Sequence, residues 1–247
     1  RDWIFRDEKT LLRLKVSRSP LFDSTERQRL TMRDGSSKSV IKMMKNRKIS
    51  IMLGLKLPTD PRWVNIVEKN IAEILTDHAF CEQKAASNAI SIIVQYPQYP
   101  DMVKAMIEIC QEEMEHFGMV HDKILERGYE LGFERKDPYV HDLLDFLKHA
   151  HSGNPKKSHL VNQLLFAAMI EARSCERFKV FSKGVDDKEL AQFYKNLMVS
   201  EAGHYRMFLD MACDLGGKEK VLARWDEWLE YEAGVMRSID VRGDRIH

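Results

Sequence analysis

Apolar residues recur at every third or fourth position from residue 59 onward, and no stretch of alternating β-branched residues occurs there. This period predicts amphipathic helices rather than strands. Proline and glycine divide the pattern into four long helices, over about residues 59–95, 101–127, 158–182 and 187–215. Shorter helices are expected over 138–151 and 218–236. Two hairpins joined by a longer connection predict an all-α four-helix bundle with an additional C-terminal helix.

The start of the first long helix is marked by the sequence PTDPRW. Thr59 or Asp60 can cap its first turn, and Pro61 suits the first helical position. The fourth long helix is expected to end at the pair Gly216-Gly217, because glycine commonly follows the last helical residue.

The first 51 residues differ from the rest in charge and pattern. They carry 14 Lys/Arg and 6 Asp/Glu, a net charge of +8, whereas the whole chain carries +1, so the remainder carries −7. The segment RDGSSKSVIKMMKNRK is polar, basic and weakly periodic, which is typical of a poorly ordered arm. We therefore expect a basic, weakly ordered N-terminal extension over 1–55 and one bundle domain over 56–247. Met52 could be a natural start, and the alternative role for the arm is contact with nucleic acid.

The composition is that of an ordinary globular protein, with 44% hydrophobic and 31% charged residues. No apolar run approaches the roughly 18–20 residues needed to span a bilayer, and no secretory signal is visible. The four cysteines are dispersed and form no CxxC motif, so free thiols in a reducing compartment are expected. These features predict a cytoplasmic protein that does not enter the membrane.

Two Glu-x-x-His pairs stand out within the helical pattern. They are Glu113 with His116, and Glu201 with His204. A spacing of three residues places both side chains of a pair on one helix face. Both pairs fall on the apolar stripe that should face the bundle core, which raises the question of whether they form one site.

Each of the four long helices carries one glutamate near the middle of its apolar stripe. In the first hairpin, Glu82 and Glu113 lie about 15 residues on either side of the turn near Pro97. In the second hairpin, Glu171 and Glu201 lie about 14 and 16 residues from the turn. Residues equidistant from the turn of an antiparallel hairpin lie level, so all four carboxylates are expected at one height.

Four ionised carboxylates inside a bundle need cations, because burying an unpaired charge costs several kcal/mol or more. Two divalent cations would balance the four glutamates, and two neutral histidines would complete their coordination. Oxygen and imidazole ligands without thiolates suit iron or manganese. The same ligand pattern characterises ferritin-like dinuclear bundles, which predicts that fold for 56–247. The alternative is a structural hydrogen-bond network without metal.

Four neighbouring residues test the choice of ligands. Glu176 is the rival on the third long helix, but it lies five residues past Glu171 and is rotated roughly 140° away, so Glu171 is preferred. His78 lies one turn before the glutamate of the first long helix and is expected to hydrogen-bond to a ligand or to be a satisfied core histidine, rather than to be a seventh ligand. Glu112 and Glu115 fall outside the apolar stripe and are expected to be solvated.

Four segments of the chain resemble the tRNA 2-methylthio-N6-isopentenyladenosine hydroxylase (MiaE) family. The resemblance covers roughly residues 52–235 and leaves out the N-terminal segment. The first and third segments are more specific than a general ferritin-like signature. In chain order the segments are DHAFCEQKAAS, EEMEHFGMVHDKILERG, IEARSCERF and SEAGHYRMFLDMA.

The resemblance implies an O2-dependent, non-haem di-iron monooxygenase. Its substrate would be (2-methylthio)-N6-isopentenyladenosine next to the anticodon of tRNA, whose isopentenyl side chain would be hydroxylated. Two iron ions would form the cofactor, O2 would be the co-substrate, and an external reductase would supply electrons. The partner would be the tRNA anticodon stem-loop. The ligands, catalytic through the di-iron centre, carry over as Glu82, Glu113, His116, Glu171, Glu201 and His204.

Residues that contact tRNA are harder to identify, since the globular part of the chain is net acidic. A local basic patch would suffice for one stem-loop, and the alternative for each residue is solvated surface charge. The candidates are Lys136, Lys156, Lys157, Arg173 and Arg177. The alternative function is a ferritin-like or rubrerythrin-like iron-handling or peroxide-reducing protein, which would share the six ligands.

Overall fold

The computed structural model describes residues 53–148 and 155–247, and within these residues the regular secondary structure is helical, with no β-strand. The predicted N-terminal extension over 1–55 lies almost wholly outside the described residues, so it stays a prediction. In chain order the elements are α1 (Arg62–Val67), a 3-10 helix (Glu68–Asn70), α2 (Ile71–Gln95), α3 (Pro100–Glu126), α4 (Pro138–Lys148), α5 (Pro155–Gly184), α6 (Lys188–Gly216) and α7 (Lys218–Ser238).

Two helical hairpins form the bundle. Helix α2 packs along α3, and α5 packs along α6, while α3 also contacts α6. Helices α4 and α7 contact each other, and both pack against α5. This arrangement confirms the predicted four-helix bundle with an additional C-terminal helix. None of the described helices has the length and apolar composition needed to cross a membrane.

Two apolar clusters fill the interior at different heights. One contains Ile92, Met106 and Phe208, and the other contains Leu75 and Tyr194, all of them buried. Along α2, α3 and α6 the buried residues that separate these clusters are glutamates and histidines, together with Ala86 on α2. The apolar clusters therefore enclose a polar layer at the middle of the bundle.

The helix predicted over 59–95 is wrong in one respect, because the chain is interrupted before α2. Asn70 has φ −137° and ψ 39°, outside the helical region. Its side-chain Nδ2 donates a hydrogen bond to the backbone oxygen of Ile66 at 2.8 Å. In a continuous helix that oxygen would accept from the Asn70 amide, so the side chain competes with the helical bond.

The other helix ends lie close to the predicted ones. The Arg62 amide donates to Oδ1 of Asp60 at 2.9 Å, so Asp60 stabilises the start of α1. Asp187 caps α6 by accepting hydrogen bonds from two amides of its first turn, at 2.9 and 3.0 Å. Gly217 separates α6 from α7 with φ +86°, a left-handed conformation that favours glycine. Helix α4 ends at Lys148, and the rest of its predicted range lies outside the described residues.

The prediction that Arg173 and Arg177 contact RNA is wrong, because both side chains are buried. Arg173 Nη2 lies 2.5 Å from Oε1 of Glu232 on α7. The guanidinium of Arg177 lies over the ring of Trp63 in α1, 4.5 Å from its centroid. Both arginines therefore hold helices together and are not available to a ligand. The remaining candidates, Lys136, Lys156 and Lys157, are exposed.

The chain beyond α7 returns to the bundle and packs beside α2 and α5. Ile246 is buried, and its amide donates to Oδ2 of Asp77 at 2.8 Å. His247 Nε2 lies 2.9 Å from the hydroxyl of Ser174. These contacts place the last residues against the same level of the bundle as the polar layer.

Candidate metal centre

The structure brings all six predicted ligands together in the polar layer. Each of the four long helices contributes one glutamate, and α3 and α6 each add the histidine three residues later. All six side chains are buried, with at most 8% of the residue exposed. They are Glu82 on α2, Glu113 and His116 on α3, Glu171 on α5, and Glu201 and His204 on α6.

The ligand atoms form two groups that share one residue. In the first group, Glu82, Glu113, His116 and Glu201 each offer an atom within 4.8 Å of the others. In the second group, Glu113 is joined by Glu171 and His204. A carboxylate has two oxygens, so Glu113 can contribute one oxygen to each group. The arrangement would allow two adjacent cations to share Glu113 as a ligand.

The two histidines face the shared carboxylate through their Nδ1 atoms. Nδ1 of His116 lies 3.3 Å from Oε2 of Glu113 and 3.7 Å from a carboxylate oxygen of both Glu82 and Glu201. Nδ1 of His204 lies 2.8 Å from Oε1 of Glu113. The ring centroids of the two histidines are 5.9 Å apart.

Several polar atoms of the cluster make no hydrogen bond, and their positions indicate what kind of ligand the cluster can bind. Oε1 of Glu113, Oε1 of Glu201 and Nδ1 of His204 are buried and have no hydrogen-bond partner. The 2.8 Å contact between His204 and Glu113 therefore brings the two atoms close without hydrogen-bond geometry. Buried polar atoms are normally satisfied. Atoms that converge on one point without bonding to each other suit ligands of a common cation.

The electrostatics of the cluster show the cost of leaving it without cations. Burial and the neighbouring carboxylates raise the pKa of Glu82 to about 8 and hold the pKa of Glu171 well above its usual range. Burial also raises the pKa of Glu201 to about 7. Without metal, Glu82, Glu171 and part of the Glu201 population therefore hold protons near neutral pH. Two divalent cations would replace those protons and stabilise the ionised carboxylates.

The histidine and glutamate of α3 shift in the opposite sense. Burial disfavours the imidazolium of His116, but the hydrogen bond with Glu113 and the nearby carboxylates of Glu82 and Glu201 outweigh it and raise its pKa to about 10. Burial would raise the pKa of Glu113, but the two histidines that face it through Nδ1 hold it below its usual range. Glu113 is therefore the carboxylate that stays ionised, as a shared ligand requires.

His78 lies behind Glu82, as predicted. Its Nε2 is 2.5 Å from Oε1 of Glu82, and its Nδ1 is 3.2 Å from the hydroxyl of Tyr194. Burial lowers the pKa of His78 to about 3, so the ring is neutral. A neutral ring can donate from Nε2 to Glu82 while Nδ1 accepts from Tyr194. This chain orients the Glu82 carboxylate.

Glu112 is exposed, as predicted, but it also has a role that the sequence did not reveal. Although its side chain is 56% exposed, its Oε2 lies 2.8 Å from Nε2 of His204. The hydrogen bond to His204 lowers the pKa of Glu112. One general rule could have pointed to Glu112: a histidine that binds a metal through one ring nitrogen usually hydrogen-bonds through the other. Glu115, the other residue predicted to be solvated, is exposed.

Glu176, the rival to Glu171, does not join the cluster. Its Oε1 accepts from the Thr59 amide at 3.0 Å, and its Oε2 accepts from Nη1 of Arg173 at 3.0 Å. Glu176 therefore ties α5 to the segment before α1. It is Glu171 that the fold directs toward Glu113 and His204.

Comparison with known proteins shows the family to which the chain belongs. The family model described as tRNA-(MS[2]IO[6]A)-hydroxylase (MiaE) matches residues 43–247. The fold and the buried cluster define a ferritin-like protein with a candidate dinuclear metal centre, and the chain belongs to this hydroxylase family.

Two curated relatives carry the name tRNA 2-(methylsulfanyl)-N(6)-isopentenyladenosine(37) hydroxylase. The one from Pseudomonas putida is 35% identical over 167 residues, which cover 68% of this chain and 78% of the relative. The one from Salmonella typhimurium is 27% identical over 242 residues, which cover 78% of this chain and 87% of the relative.

A solved structure shares the fold. It is described as protein 43 with aldehyde deformylating oxygenase activity from Synechococcus, and it is 29% identical, with a TM-score of 0.71. The match covers 78% of this chain and 94% of the other. The bundle is thus similar to that of an oxygenase.

Proposed function

We propose that this protein is an O2-dependent, non-haem di-iron monooxygenase of tRNA. Its substrate is (2-methylthio)-N6-isopentenyladenosine next to the anticodon, and the reaction adds a hydroxyl group to the isopentenyl side chain. The observation that carries the proposal is the convergence of five buried Glu and His side chains on Glu113, in a member of the hydroxylase family.

The ligand set supports two iron ions. Glu113 would bridge them, and each would also take one histidine. A di-iron centre supplies the oxidising power that a hydrocarbon side chain requires, and the protein supplies binding, orientation and the exclusion of water. The four glutamates provide anionic ligands, so the site is neutral when both ions are ferrous.

The protein's own residues keep this site in place. His78 and Glu112 orient a glutamate and a histidine by hydrogen bonds at 2.5 and 2.8 Å. The apolar clusters on both sides of the polar layer exclude water. Rigid, dry surroundings favour oxidation of the substrate over release of reactive oxygen to solvent.

The reaction balance requires further partners. One oxygen atom of O2 enters the side chain, and the other leaves as water, which consumes two electrons and two protons. An external reductase would supply the electrons. The tRNA anticodon stem-loop is the macromolecular substrate, and the modified base would leave its stack to reach a buried site. Because its substrate is tRNA, the reaction is expected to take place in the cytoplasm.

The test is to express the protein in a bacterium that lacks this hydroxylase and to analyse the tRNA nucleosides by mass spectrometry. We expect the prenylated adenosine to gain one oxygen atom. Glu113→Ala should abolish the product, whereas Glu115→Ala, a change at an exposed neighbour, should leave it. If the tRNA stays unmodified in cells whose parent protein carries full iron, the substrate assignment is wrong. Rapid iron accumulation without any product would support an iron-handling protein instead.

A further inference from the structure

Phe133 is the most exposed of the large apolar side chains that the structure describes. It is 95% exposed, whereas Val94, the next, is 73% exposed. Burying a phenylalanine side chain stabilises a protein by about 1.5–3 kcal/mol, and this ring contributes none of that to the fold. Phe133 lies in the segment between α3 and α4. An aromatic ring presented to solvent in this way is suited to contact with a ligand.

The backbone around Phe133 is fixed against α2. The Gly132 amide donates to Oγ1 of Thr76 at 3.3 Å. On the other side, Nη2 of Arg135 donates to the backbone oxygen of Glu73 at 3.0 Å. The residues on both sides of the ring are thus tied to the bundle. The exposure of Phe133 follows from the path of the fixed segment.

Cationic side chains lie close to the ring in the sequence and in the fold, most of them paired with carboxylates. Three guanidinium groups converge on the single carboxylate of Asp244, from Arg135 at 3.6 Å, Arg242 at 2.9 Å and Arg245 at 3.0 Å. Lys136 is exposed and has no ion pair among the described residues. Arg135 also pairs with Glu73, and the buried Arg245 also lies 3.6 Å from Asp77, so three carboxylates balance the three guanidinium groups. Lys136 and the half-exposed Arg242 are therefore the cations that remain accessible to an anion such as a phosphate.

This surface lies on the outer side of the helix that carries Glu82. The segment contacts Glu73 and Thr76 on α2, and Glu134 pairs with Lys84 at 3.2 Å. These contacts run along α2 from Glu73 to Lys84, a length that includes Glu82 at a rise of about 1.5 Å per residue. A nucleotide held here would lie beside the turn of α2 that contributes to the metal centre.

We propose that Phe133 stacks on an unpaired nucleobase of the anticodon loop, while Lys136 and Arg242 contact the flanking phosphates. The inference rests on the proposed function, because it takes the RNA substrate from there. Unpaired bases in RNA loops are recognised by stacking on aromatic rings, and phosphates by lysine and arginine. The ring supplies the stacking surface and the cations supply the attraction to the backbone.

The test measures binding of a prenylated anticodon stem-loop RNA to the full chain by fluorescence anisotropy. Stacking of one base on an aromatic ring is worth about 1–3 kcal/mol, so Phe133→Ala should weaken binding about 5- to 150-fold. Phe133→Trp should retain affinity within about twofold, since the larger ring still stacks. Val94→Ala, at another exposed apolar residue, is the matched control and should bind as the parent does.

The salt dependence separates the roles of the ring and the cations. Lys136→Ala should reduce the slope of log K against log salt by about 1, because one phosphate contact is lost. Phe133→Ala should leave that slope unchanged while lowering affinity at every salt concentration. Equal affinity of the parent and Phe133→Ala, or no binding of the stem-loop by the parent, would overturn the inference.

Two further measurements separate RNA stacking from self-association and from the hydroxylation reaction. If Phe133→Ala shifts the mass measured by analytical ultracentrifugation to that of a smaller species and leaves RNA affinity unchanged, the ring binds a second copy and the inference is overturned. If the parent binds the stem-loop through Phe133 but leaves the prenylated base unmodified with full iron, the stacking surface stands and the proposed reaction fails.

Discussion

Nε2 of His204 on α6 lies 2.8 Å from Oε2 of Glu112 on α3, while Nδ1 of the same ring faces Glu113. One histidine thus connects the helices through both nitrogens. In a neutral ring, which metal binding requires, the hydrogen bond to Glu112 would keep the proton on Nε2 and leave Nδ1 free to bind a cation at the centre of the cluster. This relationship makes Glu112 a positioning residue for a metal ligand.

We expect Glu112→Ala to weaken metal binding about 10- to 100-fold, the usual effect of removing the hydrogen-bond partner of a histidine ligand. Competition with a chelator, followed at constant pH, measures the change. Glu112→Gln can still accept a hydrogen bond and should lose less. Glu115→Ala is the control because that side chain is exposed three residues away. Equal affinities of Glu112→Ala and Glu115→Ala would show that the contact does not position His204.

The two glutamates of α5 should behave differently. Glu171→Ala should lose one of the two iron ions and the activity, because Glu171 faces His204 and Glu113. Glu176→Ala should keep both ions but lower the free energy of unfolding by about 1–3 kcal/mol, because buried Arg173 and the Thr59 amide lose their partner. Iron analysis and urea unfolding of both variants measure these effects. If Glu176→Ala loses iron and Glu171→Ala keeps both ions, Glu176 is the ligand.

The stability of the metal-free protein should fall as the pH rises from about 5 to 8. The pKa of Glu82 is raised from 4.5 to about 8 and that of Glu201 from 4.5 to about 7. A carboxylate whose pKa is raised by folding stabilises the folded state in its protonated form. This contribution is fully present below the pKa of the unfolded state and is lost as the pH rises through the pKa of the folded state. Thermal unfolding in the presence of a chelator measures this trend.

Metal should oppose that trend, because cations require deprotonated ligands. The iron-loaded or manganese-loaded protein should gain thermal stability over the same range. Glu82→Gln serves as a control, since it removes one titrating group and should flatten the metal-free curve. A melting temperature that rises with pH in the metal-free parent would contradict the assignment of protons to the carboxylates.

The pair formed by Arg173 and Glu232 should contribute strongly to stability. Both side chains are fully buried, and removing one partner of a buried ion pair typically costs about 3–5 kcal/mol. We expect Glu232→Ala to lower the free energy of unfolding by about that amount. Urea unfolding measures it, with Glu230→Ala as an exposed control that should change stability by less than about 0.5 kcal/mol. A small effect of Glu232→Ala would mean that water replaces the lost carboxylate.

The long helices and the six clustered residues could be predicted because their signals are local and periodic. Each helix carries its own apolar stripe, and the position of Glu82 or Glu201 on that stripe can be counted from the turn. The charge of four inward glutamates then required cations. The structure brings these residues together, whereas their role as ligands stays a prediction that metal analysis must test.

Other features depend on packing between distant segments and could not be predicted. Arg173 is buried because Glu232, 59 residues further along the chain, neutralises it inside the fold. Glu112 reaches His204 only because α3 and α6 lie side by side. The interruption before α2 results from one side-chain hydrogen bond of Asn70, which does not alter the apolar pattern.

The central claim is that Glu113 bridges two iron ions held by the six buried residues. The most direct measurement is the iron content per chain of the parent and of Glu113→Ala, both loaded anaerobically with ferrous iron and freed of excess metal. We predict two iron ions per chain for the parent and the loss of both for the variant. A parent that retains no iron, or a Glu113→Ala variant that retains two, would contradict the claim.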